Sequence, residues 1–258
     1  MSKDKYVSLS NKEIRAYARE RLLGNLTAPI ISTLLFFFAA YIFRLCREIG
    51  IIGGSVPSFI FYIILSLVVS TIWGIFDYGL RFFYISLVTK KEAKVSNLFA
   101  GFKGSTETIL AASLSLTLLN LICLSPFYIY GFFFAPDTIQ GLIITLCAYV
   151  VCSVLYYLVS IIFAPMYFLI CDHPGMPFPV VLILNFSMMS FKKWFKYLGL
   201  QLSFLPLYLL CFISFGIGFL WVIPYVYTSY TYFYEDLCEE YIFDKDSENT
   251  EEKAEEPA

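Results

Sequence analysis

The sequence predicts an all-α integral membrane protein with six transmembrane helices and amphipathic interfacial helices on the cytoplasmic side. Six apolar stretches follow one another along the 258-residue chain, each long enough for a helix to cross a hydrocarbon core about 30 Å thick. The stretches are continuous rather than alternating, which favours helices over a β-barrel as the way to satisfy backbone polar groups in lipid. With 59% hydrophobic residues and a mean hydropathy of +0.73, the chain is too apolar for an ordinary soluble domain.

The predicted spans lie in a membrane domain, 25–236, that follows a cytoplasmic amphipathic helix, 1–24. The six spans are Asn25–Phe43, Val56–Phe76, Thr108–Tyr130, Ile139–Phe163, Tyr197–Ile213 and Gly216–Tyr234. Residues 237–258 are rich in acidic residues and have no apolar pattern, so they are predicted to form a disordered cytoplasmic tail.

The distribution of lysine and arginine predicts which side of the membrane each connection faces. Sixteen of the 18 basic residues fall before the first span, after the second, before the fifth or in the tail. Only Arg44 and Arg47 fall on the opposite side. Positive charge stays cytoplasmic. The pattern therefore predicts a multi-pass plasma-membrane protein with both termini in the cytoplasm. The net charge of −2 gives no reason to expect a nucleic-acid partner.

The N-terminal segment is predicted to be a helix on the cytoplasmic membrane surface. Ser10 and Glu13 form a capping-box signature, and apolar residues recur at helical spacing from Ile14 to Leu22. Basic residues on the other side would attract anionic lipid headgroups, which are the partner that the segment predicts.

Two later segments resemble this membrane entry. Ser96–Lys103 precedes the third span, and Asn185–Lys196 precedes the fifth; each mixes lysines with bulky apolar residues. One interpretation is a threefold repeat, each unit being an interfacial helix followed by a helical hairpin. The other is that any entry into a membrane has this composition, because lysine and aromatic residues favour the interface.

Four blocks of the sequence carry a resemblance to a known family: ARERLLGN, LFAGFK, MMSFKKWFKYLGLQLSF and GIGFLWVIPYVYTSYTYFYEDL. On these blocks the whole chain resembles a bacterial family of membrane proteins, domain-of-unknown-function family 975. The family often has tryptophan soon after the N-terminal Gly-Asn, whereas Leu26 and Thr27 follow here. The resemblance implies a multi-pass bacterial membrane protein without an established activity, and it implies no catalytic residue.

No catalytic residue, cofactor site or metal site is predicted. His173 is the sole histidine and has adjacent Cys171 and Asp172, but adjacent side chains diverge and a metal needs further ligands. The histidine also has no evident nucleophile partner for a hydrolytic triad. We therefore expect a protein that is not an enzyme.

Four polar residues in or beside the spans are candidates for a structural role or for a solute pathway. Asp77 and Arg81 are spaced i, i+4 and share a helix face, which favours an ion pair. Asn120 and Gln201 lie inside spans, where hydrogen bonding between helices explains them and substrate contact is the alternative.

Three prolines are predicted to kink helices, because each removes a backbone donor. They are Pro165, Pro206 and Pro224. Static kinks are one interpretation, and a midplane binding site between broken helices is the other.

The function that the sequence favours is a non-enzymatic membrane scaffold or accessory component with a membrane-protein partner. The alternative is a transporter or lipid-handling protein that uses a proline-kinked bundle.

Overall fold

The computed structural model describes residues 6–48, 56–89, 92–104, 106–134 and 138–255. These residues form helices joined by turns and short loops. The α-helices are α1 (Asn11–Leu22), α2 (Thr27–Glu48), α3 (Val56–Val88), α4 (Thr106–Ile129), α5 (Ile139–Ser160), α6 (Met166–Asp172), α7 (Phe178–Met188), α8 (Phe191–Leu202), α9 (Leu205–Ile213) and α10 (Phe219–Glu255). A 3₁₀ helix occupies Val95–Phe102, a π-helical turn occupies Tyr130–Phe134, and a 3₁₀ turn joins α5 to α6 at Ile161–Phe163.

Five helical segments within the described residues are long and apolar enough to cross a membrane. They are Thr27–Leu45, Pro57–Val88, Thr106–Ile129, Ile139–Asp172 and Phe191–Ile213. Each overlaps one of the first five predicted spans, which confirms the all-helical, membrane-compatible class. From Phe219 onward, the sixth predicted span forms the first part of α10. This part is less hydropathic than the five segments because it is rich in tyrosine, serine and threonine.

The chain divides into two compact units. One consists of Met1–Thr33, Phe83–Val95 and Phe186–Ala258; the other consists of Leu34–Phe82 and Ser96–Asn185. We call them the terminal unit and the central unit. The three-unit interpretation drawn from the sequence stays a prediction.

Helix α1 in the terminal unit begins with the predicted capping box. The Glu13 amide donates to Ser10 Oγ at 3.3 Å, and Glu13 Oε2 accepts from the Ser10 amide at 2.7 Å. Hydrogen bonds from the Ser10 side chain and backbone lower the pKa of the Glu13 carboxyl. The apolar stripe Ile14, Ala18 and Leu22 is buried, and α1 packs on α10 and α8. This stripe therefore covers protein, whereas the sequence led us to expect it to cover lipid.

The predicted entry segment Ser96–Lys103 overlaps the 3₁₀ helix Val95–Phe102, which packs tightly on α3 in the central unit. A Cβ added at Gly79 would overlap the Leu98 carbonyl group, and one added at Gly101 would lie 2.8 Å from Ile75 Cγ2. Small residues let two backbones approach closely in a membrane. The two glycines therefore permit this crossing.

Small residues also form the seam of the α4–α5 hairpin. The less exposed positions of α5 include Gly141, Thr145, Ala148 and Cys152, which recur at helical spacing, whereas Leu146 and Val151 between them are 61% and 67% exposed. The small side chains therefore face protein and the large ones face outward.

The prolines lie mostly at helix starts. Pro165 precedes α6, and Pro206 is in the first turn of α9, where a missing backbone N–H is tolerated. Only Pro224 of the three lies inside a helix, α10. Two of the three predicted kinks are thus breaks between shorter helices.

The structure also differs from the expectation for the tail. Helix α10 runs to Glu255, whereas residues 237–258 were predicted to be disordered. Extending a helix that is already packed needs no new nucleus, and glutamate, lysine and alanine have good helix propensity. Residues 1–5 of the predicted amphipathic segment and 256–258 of the tail lie outside the described residues.

We expect Gly79→Ala to lower the thermal stability of the purified protein, because the new methyl group would overlap the backbone of Leu98. Gly104→Ala is the matched control, since its Cβ would meet nothing closer than 3.9 Å. Melting in detergent, followed by tryptophan fluorescence, measures both. Equal melting temperatures for the two variants would contradict the close crossing.

Candidate functional site

The predicted ion pair between Asp77 and Arg81 is present in α3 of the central unit. Arg81 Nη2 lies 3.4 Å from Asp77 Oδ2, and Nη1 donates to Oδ1 at 3.4 Å. The side chains are 20% and 22% exposed. Both residues lie inside the 33-residue helix. The shorter predicted span had implied that they lie beyond the end of the helix.

Aromatic rings from α6 complete the surroundings of Arg81. Its Cζ atom lies 5.1 Å from the ring centroid of Tyr167 and 5.3 Å from that of Phe168. A guanidinium over an aromatic face is attracted by the ring quadrupole, more strongly when water is excluded. The Arg81 side chain therefore pairs with Asp77 on its own helix, α3, and contacts two aromatic rings of α6.

The same region joins α3 to α4. Ser113 Oγ donates to the Ser70 carbonyl at 3.0 Å, and a Cβ added at Gly74 would overlap Ser113 and lie 2.8 Å from Tyr167 Oη. Glycine at position 74 thus lets α4 and α6 approach α3 beside the ion pair. We call Asp77, Arg81, Ser113, Tyr167 and Phe168 the charge–aromatic cluster. Its contacts hold three helices together around one neutralised pair.

The other two predicted polar residues do not join this cluster. Asn120 is half-buried on α4 in the central unit. Gln201 is half-buried on α8 and belongs to the terminal unit.

Sequence reasoning missed Asn185, which is 0% exposed on α7. Its Nδ2 donates to the Ile162 carbonyl at 2.9 Å, in the 3₁₀ turn just before Pro165. No donor within the described part of the chain reaches Asn185 Oδ1, which is also buried. The signal in the sequence was an amide side chain within an apolar run. Asn185 was instead assigned to the predicted entry segment Asn185–Lys196.

A second group of polar contacts, also missed, lies in the terminal unit around Asp236. Its side chain is 0% exposed and accepts from Lys196 Nζ at 2.6 Å, from the Leu9 amide at 2.7 Å and from Tyr6 Oη at 3.2 Å. Asn11 Nδ2 donates to the Lys196 carbonyl at 3.1 Å. We call Tyr6, Leu9, Asn11, Lys196 and Asp236 the terminal clamp.

Neighbouring contacts strengthen this clamp. Lys196 Nζ lies 5.7 Å from the Phe233 ring centroid, and Lys193 Nζ lies 3.6 Å from Glu240 Oε1. Burial, together with Glu239 and Asp236, raises the pKa of the Tyr6 phenol. The phenol therefore stays protonated and remains a donor. The clamp joins the segment before α1 to α8 and α10.

His173 is at the C-terminal end of α6. In the described residues, no three histidine, cysteine, aspartate or glutamate side chains lie close enough to hold a metal ion. None of the six cysteines described, from Cys123 onward, forms a disulfide bond.

The fold defines a helical protein suited to a membrane, and the two clusters pair Asp77 with Arg81 and Asp236 with Lys196. A family model described as protein of unknown function (DUF975) matches residues 9–240, so the chain belongs to that family. No curated protein and no solved structure matches the chain.

We expect Asp77→Asn alone to lower folded yield, because it leaves the Arg81 charge in a partly buried site without its carboxylate. Combining Asp77→Asn with Arg81→Gln should recover much of the yield, since the burial penalty disappears with both charges. Size-exclusion profiles of the detergent-solubilised variants provide the measurement. If Asp77→Asn leaves the yield unchanged, the pair contributes nothing to folding.

In the terminal clamp, Asp236→Asn should destabilise the protein by about 3–5 kcal/mol, the range for removing one partner of a buried pair. Tyr6→Phe removes one donor of the clamp and should cost about 1 kcal/mol. The control is Asp244→Asn, an exposed aspartate on the same helix. Denaturant unfolding in detergent measures the free energy of unfolding of each variant and so ranks the three losses of stability. Similar losses for Asp236→Asn and Asp244→Asn would show that the clamp is not stabilising.

Proposed function

We propose that this protein is a non-enzymatic, multi-pass scaffold or accessory component of a bacterial plasma membrane, acting through contacts with lipids and a membrane-protein partner. The main support is the outward-facing surface of its apolar helices. Only 6% of the most apolar stretch within Ile139–Asp172 is buried, and the highest value among the five candidate spans is 28%. Most of this surface is available to lipid or to helices of another protein.

The charge–aromatic cluster supports the same function. Charges inside a membrane are costly, about 2.5–3.5 kcal/mol each at a helix centre on the insertion scale, and those of solute pathways face water-filled cavities. Arg81 instead contacts Asp77 and two aromatic rings of the protein itself. This arrangement suits a structural pair.

Contacts inside the terminal unit support six crossings with both termini on one side. Arg21 Nε donates to the Leu87 carbonyl at 2.6 Å, Asn11 contacts Lys196, and Leu9 contacts Asp236. The chain must cross the bilayer an even number of times between each pair of contacting residues. Five candidate spans and the apolar start of α10 together make six. The basic connections support a cytoplasmic location for this side.

A transporter remains the second candidate, because of the helix break before Pro165. Discontinuous helices form binding sites in many transporters. Asn185 Oδ1 is buried next to this break and meets no donor among the described residues. Its carbonyl oxygen has the chemistry to contact a cation or a water molecule.

Two measurements separate these functions. The scaffold predicts that the protein, extracted gently from native membranes, is found in a larger complex with the same partner in several detergents. It also predicts that the purified protein in liposomes passes protons and alkali cations no faster than empty liposomes do. Flux that Asn185→Leu abolishes, with the folded yield unchanged, would instead establish transport.

A further inference from the structure

The terminal unit contains a polar cleft of about 300 Å³ at the junction of α1 and α2. It is lined by Arg21, Gly24, Asn25, Thr27, Ala28, Leu87 and Ala93. The cleft shares no residue with the charge–aromatic cluster or with the terminal clamp, and neither candidate function uses it.

Arg21 supplies a positive charge at a fixed place in this cleft. Its Nε donates to the Leu87 carbonyl at 2.6 Å, near the C-terminal end of α3. That bond orients the planar guanidinium and leaves its two terminal amino groups for another acceptor. None of the carboxylates whose side chains the structure describes forms an ion pair with Arg21. Paired N–H donors of this kind match the oxygens of a phosphate group.

The turn between the helices keeps the cleft open. Gly24 has φ +83°, a backbone conformation that favours glycine, and a Cβ added there would meet no atom within 4 Å. The Asn25 amide donates to the Leu22 carbonyl at 3.0 Å and so fixes the turn. Thr27 is exposed beside it and adds a hydroxyl donor. The cleft therefore combines one fixed cation with neutral donors.

We propose that this cleft binds a phosphate-bearing anion, with the headgroup of an anionic phospholipid as the source that its position favours. The apolar sequence of α2 begins at Ala28, so the cleft lies where a transmembrane helix would enter the headgroup layer. This inference rests on the proposed membrane location. The lipid contact proposed here also differs from the one expected from the sequence. The apolar stripe of α1 packs on α10, whereas Arg21 at the C-terminal end of α1 lines the cleft.

The test uses full-length protein in neutral detergent and measures the shift in melting temperature on adding phosphatidylglycerol, phosphatidylcholine or inorganic phosphate. A ligand that binds only the folded state raises the melting temperature. Phosphatidylglycerol should raise it more than phosphatidylcholine does. Arg21→Met should lose most of that shift, and Arg21→Lys should keep part of it. Arg19→Met, the same charge change at an exposed position of α1, should keep all of it.

A second variant guards against a general loss of folding. Ala28→Leu should fill the cleft without removing the Arg21–Leu87 hydrogen bond, and it should also lose the shift. An Arg21-dependent shift with inorganic phosphate alone would support the anion site and make soluble phosphate its source. Equal shifts for Arg21→Met, Ala28→Leu and Arg19→Met would overturn the proposal. That result would not contradict the proposed scaffold function, which is tested separately by complex formation and by flux.

Discussion

Internal satisfaction of polar groups is the constraint on which the rest of this structure depends. A helix that enters hydrocarbon has no water to replace a missing hydrogen bond or to solvate a charge. The chain meets this constraint with the Asp77–Arg81 pair, whose guanidinium also stacks on Tyr167 and Phe168. Where Pro165 interrupts a long apolar segment, Asn185 donates to the carbonyl of Ile162. These polar contacts lie where α3, α4, α6 and α7 have to pack, so satisfying the groups also assembles the central unit.

In the terminal unit, burial inside the protein makes the same demand on the carboxylate of Asp236, whose side chain is 0% exposed. Asp236 accepts from Lys196, from the Leu9 backbone and from Tyr6, which draws three distant parts of the chain together. The α1 stripe then packs on α10, and Arg21 reaches the end of α3. Each contact joins the N-terminal segment to a point where the chain has completed a pair of apolar segments. The proposal of an even number of crossings rests on these contacts.

Features that depend on neighbouring residues could be predicted from the sequence. The capping box at Ser10 and the ion pair at Asp77 involve residues three and four positions apart, and both are present. The terminal clamp could not be predicted, because Lys196 and Leu9 are 40 and 227 positions from Asp236. The apolar stripe from Ile14 to Leu22 predicted an amphipathic helix. The same pattern is expected whether the apolar face contacts lipid or packs on another helix, so it could not identify α10 as the contact. Helix breaks at Pro165 and Pro206 were expected as kinks, since composition alone does not separate a bent helix from two short ones.

The most direct test of this account is the side of the membrane on which single cysteines react, with the native cysteines replaced. Val7 is an exposed residue close to Leu9 of the terminal clamp, Asp244 is an exposed residue of α10 beyond Asp236, and Gln140 is exposed at the start of α5. We predict that an impermeant maleimide labels Gln140→Cys on intact cells, and labels Val7→Cys, Ser96→Cys and Asp244→Cys only after permeabilisation. Labelling of Val7→Cys and Asp244→Cys from opposite sides would mean an odd number of crossings. That result would contradict both the six-span arrangement and the contact between Leu9 and Asp236.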